Sequence, residues 1–149
     1  MGTGSPYFME VEMKFIQKTL LPILLATFWI GFSEFTRNEL LLKSYWENHY
    51  QNLGLTFPSS LVNGAVWGLW SLLFAAAVYI LSRKFSLLGT TLVSWFMGFV
   101  LMWVATWNLD VLPLPLLIFA IPLSLLESFL ASLIIINLTA KEGAELDEA

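Results

Sequence analysis

Cysteine is absent from this chain and histidine occurs once, at His49. Disulfides, thiolate metal sites, iron–sulfur ligation and cysteine nucleophiles are therefore excluded, and one histidine cannot build a two-histidine haem site. Charge is scarce as well. Asp, Glu, Lys and Arg make up 12% of the residues, about half the roughly 25% usual in soluble domains. The seven Lys and Arg form no basic stripe, so nucleic acid is not an expected partner. There is no glycine-rich phosphate loop, no Ser-His-Asp constellation and no paired-carboxylate spacing in a loop. Nothing calls for a metal or a cofactor. The acidic residues gather near the ends, at Glu10 and Glu12 and at Glu142, Glu145, Asp147 and Glu148.

What is present is apolar. Hydrophobic residues make up 58% of the chain and the mean hydropathy is +0.75. Four apolar runs stand out, and a bilayer about 30 Å thick needs about 20 such residues per helix. The reading is an all-α integral membrane protein, an antiparallel four-helix bundle with spans at about 17–36, 61–82, 87–108 and 112–138. These lie in one domain, 15–140, between an N-terminal tail (1–14) and an acidic C-terminal tail (141–149). The connectors Ser82–Phe85 and Asn108–Asp110 are short enough to force antiparallel neighbours. In the longer link, Leu42, Tyr45, Trp46, His49 and Leu53 recur at helical spacing, while Lys43, Glu47 and Asn48 fall on other faces. This pattern predicts an amphipathic interfacial helix at about 39–52, ended by Gly54 and Pro58, with His49 as an interfacial polar residue. Pro113 and Pro115 suit the first turn of the last span, and Pro122 falls inside it, where proline frees a carbonyl and kinks the helix.

Orientation follows from the cations. With four spans, Lys14, Lys18, Arg83, Lys84 and Lys141 fall on one side and only Arg37 and Lys43 on the other. The positive-inside rule then places both termini in the cytoplasm, in a cell inner (plasma) membrane.

Each span carries a stripe of small residues: Thr27 and Gly31; Gly64, Gly68, Ser71 and Ala75; Thr91, Ser94, Gly98 and Ala105; Ala120, Ser124, Ser128 and Ala131. Such stripes let helices approach closely, so Gly64, Gly68, Gly98 and Ser124 are expected packing positions. The alternative for the Gly64-x-x-x-Gly68 pair is a contact with another copy or another protein. Trp67 and Trp70 share a helix face, as do Trp103 and Trp107. They read as interface anchors or as the aromatic walls of a ligand pocket.

A few polar residues fall at membrane depth. Glu127 lies roughly eleven residues from the inner end of its span, near the bilayer middle at about 1.5 Å per residue. There it must be protonated, paired or wet. Glu34 lies about one turn nearer the outside and can pair with Arg37 at i, i+3, with Asn38 on the same face. Asn63, Asn108 and Asp110 bound neighbouring spans at a similar depth. Together they predict either a polar vestibule open to the outside with Glu127 at its floor, or a purely structural set of satisfied polar groups.

The segments Arg37-Asn-Glu-Leu-Leu-Leu-Lys-Ser-Tyr-Trp46, Leu53-Gly-Leu-Thr-Phe-Pro58 and Asn63-Gly-Ala-Val-Trp-Gly-Leu-Trp70 resemble small four-span bacterial membrane proteins of unknown function. The resemblance runs from about Phe15 to Leu138 and implies no activity and no site. Three roles are compatible with the residues. The first is an interaction or accessory protein whose partners are the lipid bilayer and a homo-oligomer or larger membrane complex. The second is a small binder or transporter of a solute, proton or lipid. The third is a lipid-modifying membrane enzyme.

Overall fold

The computed structural model describes residues 6–140, so residues 1–5 and the acidic tail at 141–149, Lys141 included, lie outside the described residues. The described residues are helical, with no strand among them. Helix α1 runs without interruption through Pro6–Phe15, Ile16–Leu20, Leu21–Phe35 and Thr36–Leu41. It extends past both ends of the 17–36 apolar stretch. A Glu10–Lys14 pair at 2.7 Å supports its first turns. Pro22 sits within it, and the chain accommodates the missing N–H by winding Ile16–Leu20 as π-helix, with Leu21 N–H donating to the Ile16 carbonyl.

The end of α1 is also π-wound. Leu42 N–H donates to the carbonyl of Arg37, five residues back, at 2.9 Å. Leu42 then leaves helical geometry (φ −118°, ψ 10°), and α2 begins at Lys43 and runs to Asn52. The stretch expected as one helix at 39–52 is thus divided at Leu42, because the widened turn consumes residues 39–41 as the end of α1. Helix α2 stops where Gly54 takes a positive φ of 72°. Gly54 N–H donates to Gln51 and Leu55 N–H to Tyr50, each at 2.9 Å, the paired bonds of a Schellman stop.

Helix α3 (Leu61–Ser82) starts at Ser60, whose backbone N–H and Oγ both donate to Asn63 Oδ1. Helix α4 is continuous through Leu87–Trp95, Phe96–Val100 and Leu101–Asn108. It ends on the same Schellman pattern, with Asp110 in the left-handed position (φ 59°). A 3₁₀ turn, Leu114–Leu116, leads into α5 (Leu117–Ala140), which contains Pro122 without ending there.

Helix α1 packs against α3 and α5, and α4 packs against both of these. The interior is unlike that of a soluble domain. Ser71, Thr90, Thr91, Ser94, Ser124, Ser128 and Ser132 are buried beside Ala26, Ala75, Ala120 and Ala131. Outside, Leu61 is 94% exposed, Phe28 75% and Ile118 74%. Water would penalise that arrangement at about 25 cal/mol per Å2 of apolar surface, whereas hydrocarbon does not. The buried hydroxyls are mostly satisfied within their own helices: Ser71 donates to the Trp67 carbonyl, Thr91 to Leu87 and Ser132 to Ser128, at 2.8–2.9 Å. The helices Met9–Leu41, Leu61–Ser82, Leu87–Asn108 and Leu114–Thr139 are each long and apolar enough to cross a membrane. The chain has the makings of a membrane protein with four spanning helices.

Candidate functional site

The π-wound end of α1 presents Arg37 inward, one turn beyond Glu34. Both are buried, with 5% and 4% of their surface exposed. Arg37 donates through Nη2 to Glu34 Oε1 and through Nη1 to Glu127 Oε2 on α5, the latter at 3.0 Å. One guanidinium therefore bridges two carboxylates from two helices. Its Cζ also stands 5.0 Å from the centroid of the Phe99 ring on α4, a cation–π contact.

The network extends in both directions. Asn38 donates through Nδ2 to Glu34 Oε2 at 2.7 Å, and its Oδ1 accepts from Trp46 Nε1 of α2 at 3.1 Å. At the other end, Ser33 Oγ donates to Glu127 Oε2 at 2.9 Å, and Trp29 Nε1 donates to the Glu127 carbonyl at 3.1 Å. Glu127 is fully buried, and its Oε1 has no hydrogen-bond partner; the same holds for Ser128 Oγ. A buried acceptor without a donor loses its hydration and gains nothing in return, at about 1–3 kcal/mol for a neutral group and more for a charged one.

Two cavities meet at Arg37. The larger is a cleft of about 900 Å3. Glu34, Arg37 and Asn38 form one wall, Trp46, Tyr50 and Phe57 a second, and Trp67, Gly64, Gly68 and Trp103 a third. Glu39 and Lys43 stand at its rim, paired at 2.8 Å. The hydrogen bond and charge of Glu39 hold the Lys43 ammonium above the ordinary lysine range. The smaller cavity, about 140 Å3, lies on the other side of Arg37 and is lined by Trp29, Ser33, Thr36 and Glu127 among others.

The residues singled out in the sequence separate into three groups. Glu34, Arg37 and Asn38 come together with Glu127, but Glu127 lines the small cavity behind Arg37 and is not among the residues lining the cleft. Asn63 lines the cleft while its Oδ1 caps α3. Asn108 and Asp110 are exposed and line neither cavity. Asp110 acts through its backbone, stopping α4 and accepting from His49 Nε2 at 2.8 Å. The tryptophan pairs divide. Trp67 faces the cleft and Trp70 stacks on Phe74 at 5.0 Å in the interior. Trp103 lines the cleft and packs against Phe99 and Trp95, whereas Trp107 is 59% exposed. Of the packing positions, Ser124 accepts from Trp95 Nε1 at 2.9 Å, and Gly98 lies so close to Phe74 that a Cβ there would meet the ring at 2.5 Å. Gly64 and Gly68 have nothing within 4 Å of where a Cβ would be. They do not mediate helix contact within this chain and instead leave the cleft wide.

Ser33, Trp29, Trp46 and Phe99 complete the site without having been singled out for it. Ser33 lies next to Glu34 in sequence, but no local pattern distinguishes it from the other buried hydroxyls. The partnership of Trp46 and Phe99 with Asn38 and Arg37 depends on how α2 and α4 pack. Among the described residues no group of three or more His, Cys, Asp or Glu stands ready to hold a metal ion. No family model, no curated protein and no solved structure matches the chain.

Proposed function

We propose that this chain is a multi-pass protein of a bacterial plasma membrane, an antiparallel four-helix bundle with both termini cytoplasmic and α2 in the outer interface. We propose further that it binds a small amphiphile, a lipid or a lipophilic solute, in the cleft between α1, α2, α3 and α4. The observation that carries this reading is the cleft itself. Its volume of about 900 Å3 falls at the top of the range of roughly 300–1,000 Å3 typical of small-molecule sites. Its aromatic walls suit an apolar body, and the Glu34–Arg37–Asn38 wall suits a polar head. The orientation rests on Lys14, Lys18, Arg83 and Lys84 against Arg37 and Lys43.

Native mass spectrometry of the protein released from nanodiscs made of its source membrane tests the binding. The wild-type chain is expected to carry a discrete co-purifying adduct, and Gly68→Leu, whose side chain enters the cleft, to lose it at least tenfold. An adduct retained in full by Gly68→Leu, or none on the wild type, overturns the reading.

A second reading draws on the same open glycines: the Gly64–Gly68 face receives a helix of another copy or of a partner, and the chain is an accessory subunit. Crosslinking in native membranes separates the two. A crosslinked species that Gly68→Leu abolishes, with no small adduct, favours the accessory role. A lipid-modifying enzyme is the weakest of the three, since both carboxylates spend oxygens on Arg37 and no nucleophile converges on them.

A further inference from the structure

The charges of the buried cluster do not balance. Glu34 and Glu127 contribute two carboxylates, and both of their ion pairs run to the single cation Arg37. Arginine stays protonated in proteins. The other groups that these two side chains meet are neutral: Ser33 and Asn38 from α1, and the Phe99 ring from α4 against the guanidinium. Lys43, the nearest cation along the chain, is engaged at the cleft rim by Glu39 at 2.8 Å and by Glu47 at 4.0 Å. With both carboxylates ionised the cluster carries one surplus negative charge in an interior that excludes water. Breaking the balance of a buried pair costs about 3–5 kcal/mol. One atom records the imbalance directly. Glu127 Oε2 receives Ser33 and Arg37, while Oε1 of the same carboxyl is fully buried with no donor.

We propose that Glu34, Arg37 and Glu127 form a proton-binding site that takes up one exchangeable proton per chain, shared between the two carboxylates. The proton binds at a carboxylate oxygen and removes the surplus charge, leaving one carboxylate paired with one guanidinium. Glu127 Oε1 is the open position, and the small cavity lined by Ser33, Thr36 and Glu127 is the adjoining space on the side away from the cleft. Glu34, at the other end of the same guanidinium, faces the cleft. Arg37 is thus the wall between the proton site and the cleft, and a charged group entering the cleft changes the balance on which the proton depends. The site stands apart from the proposed amphiphile binding, since it depends only on the cluster.

Infrared difference spectroscopy of the full chain in lipid nanodiscs, stepped through pH in H2O and D2O, tests this. At neutral pH the wild type is expected to show the carbonyl stretch of one protonated buried carboxyl per chain, shifted in D2O and lost on titration to high pH. Glu127→Gln and Glu34→Gln are each expected to lose that band entirely, because the remaining carboxylate is then neutralised by Arg37. No such band in the wild type at neutral pH overturns the proposal without recourse to a variant. So does a band that survives both single substitutions, or one that never titrates. Gly68→Leu is expected to abolish the amphiphile adduct and leave the band in place, so the two readings fail separately.

Discussion

The two halves of α3 are built from the same small and aromatic residues and behave oppositely. From Ser71 to Val78 the helix is packed: Ser71, Phe74, Ala75 and Val78 are buried, and Trp70, Phe74 and Phe99 stack on one another. From Leu61 to Gly68 it is open, with Gly64 and Gly68 touching nothing and Trp67 half-exposed on the cleft. Small residues permit close approach but do not compel it. Whether helices meet depends on what stands opposite. Opposite Phe74 is Gly98, which leaves room for the ring. Across the cleft from Gly64 and Gly68 stands the wall of Trp46, Tyr50 and Phe57, which holds the space open.

Three substitutions press on this contrast, from the largest effect to the smallest. Arg37→Gln removes the cation where the packed and open halves meet and leaves two buried carboxylates facing each other. A loss of about 3–5 kcal/mol is expected, read as a large drop in the thermal midpoint in detergent. An unchanged midpoint would show that Arg37 bears no structural charge role.

Next, Gly98→Leu and Gly68→Leu form a matched pair on α4 and α3. The first drives a side chain into Phe74, whose ring is held by Trp70 and Phe99 and cannot swing away. It is expected to cost about 1–3 kcal/mol as an overpacking change. The second enters open space and is expected to stay within about 0.5 kcal/mol. Equal destabilisation in parallel unfolding titrations would erase the distinction drawn between the two halves. Phe74→Leu combined with Gly98→Leu should recover part of the loss, as expected for residues in direct contact.

The smallest effect is expected at Asp110→Gly. Asp110 occupies a left-handed position (φ 59°) that glycine adopts without the cost of a Cβ. The His49 bond goes to its backbone carbonyl and survives the change. A stabilisation of up to about 1 kcal/mol is expected, seen as a small rise in the same midpoint. A loss of stability would mean that the Asp110 carboxylate itself carries a contact.

Some parts of the site were legible and others were not. The pairing of Glu34 with Arg37 follows from their i, i+3 spacing, and Asn38 from its shared face. That Glu127 had to be buried and paired followed from its depth in an apolar run. Its partner did not, because nothing local says that Arg37, ninety residues away in sequence, donates to it. Asn108 and Asp110 looked like vestibule residues because polar side chains at a span end resemble one another in sequence. Only the Schellman bonds reveal that Asp110 serves the backbone. The break at Leu42 was invisible for a related reason: the residue is apolar and on pattern, and the interruption comes from a π-turn closing on the Arg37 carbonyl.

The sequence by itself determined that the chain is helical, that four helices are apolar enough to span, and which few polar residues are costly there. Those conclusions rest on composition and on 3.6-residue periodicity, both properties of single segments. The tertiary structure alone decided which glycines pack and which stand open, that one guanidinium serves two carboxylates, and that a cleft and a smaller cavity meet at that guanidinium. Hydrocarbon makes the reason plain. Outside water, apolar surface no longer drives helices together, so the positions of the spans depend on steric fit and on satisfying buried polar groups, and both depend on pairs of residues far apart in the chain.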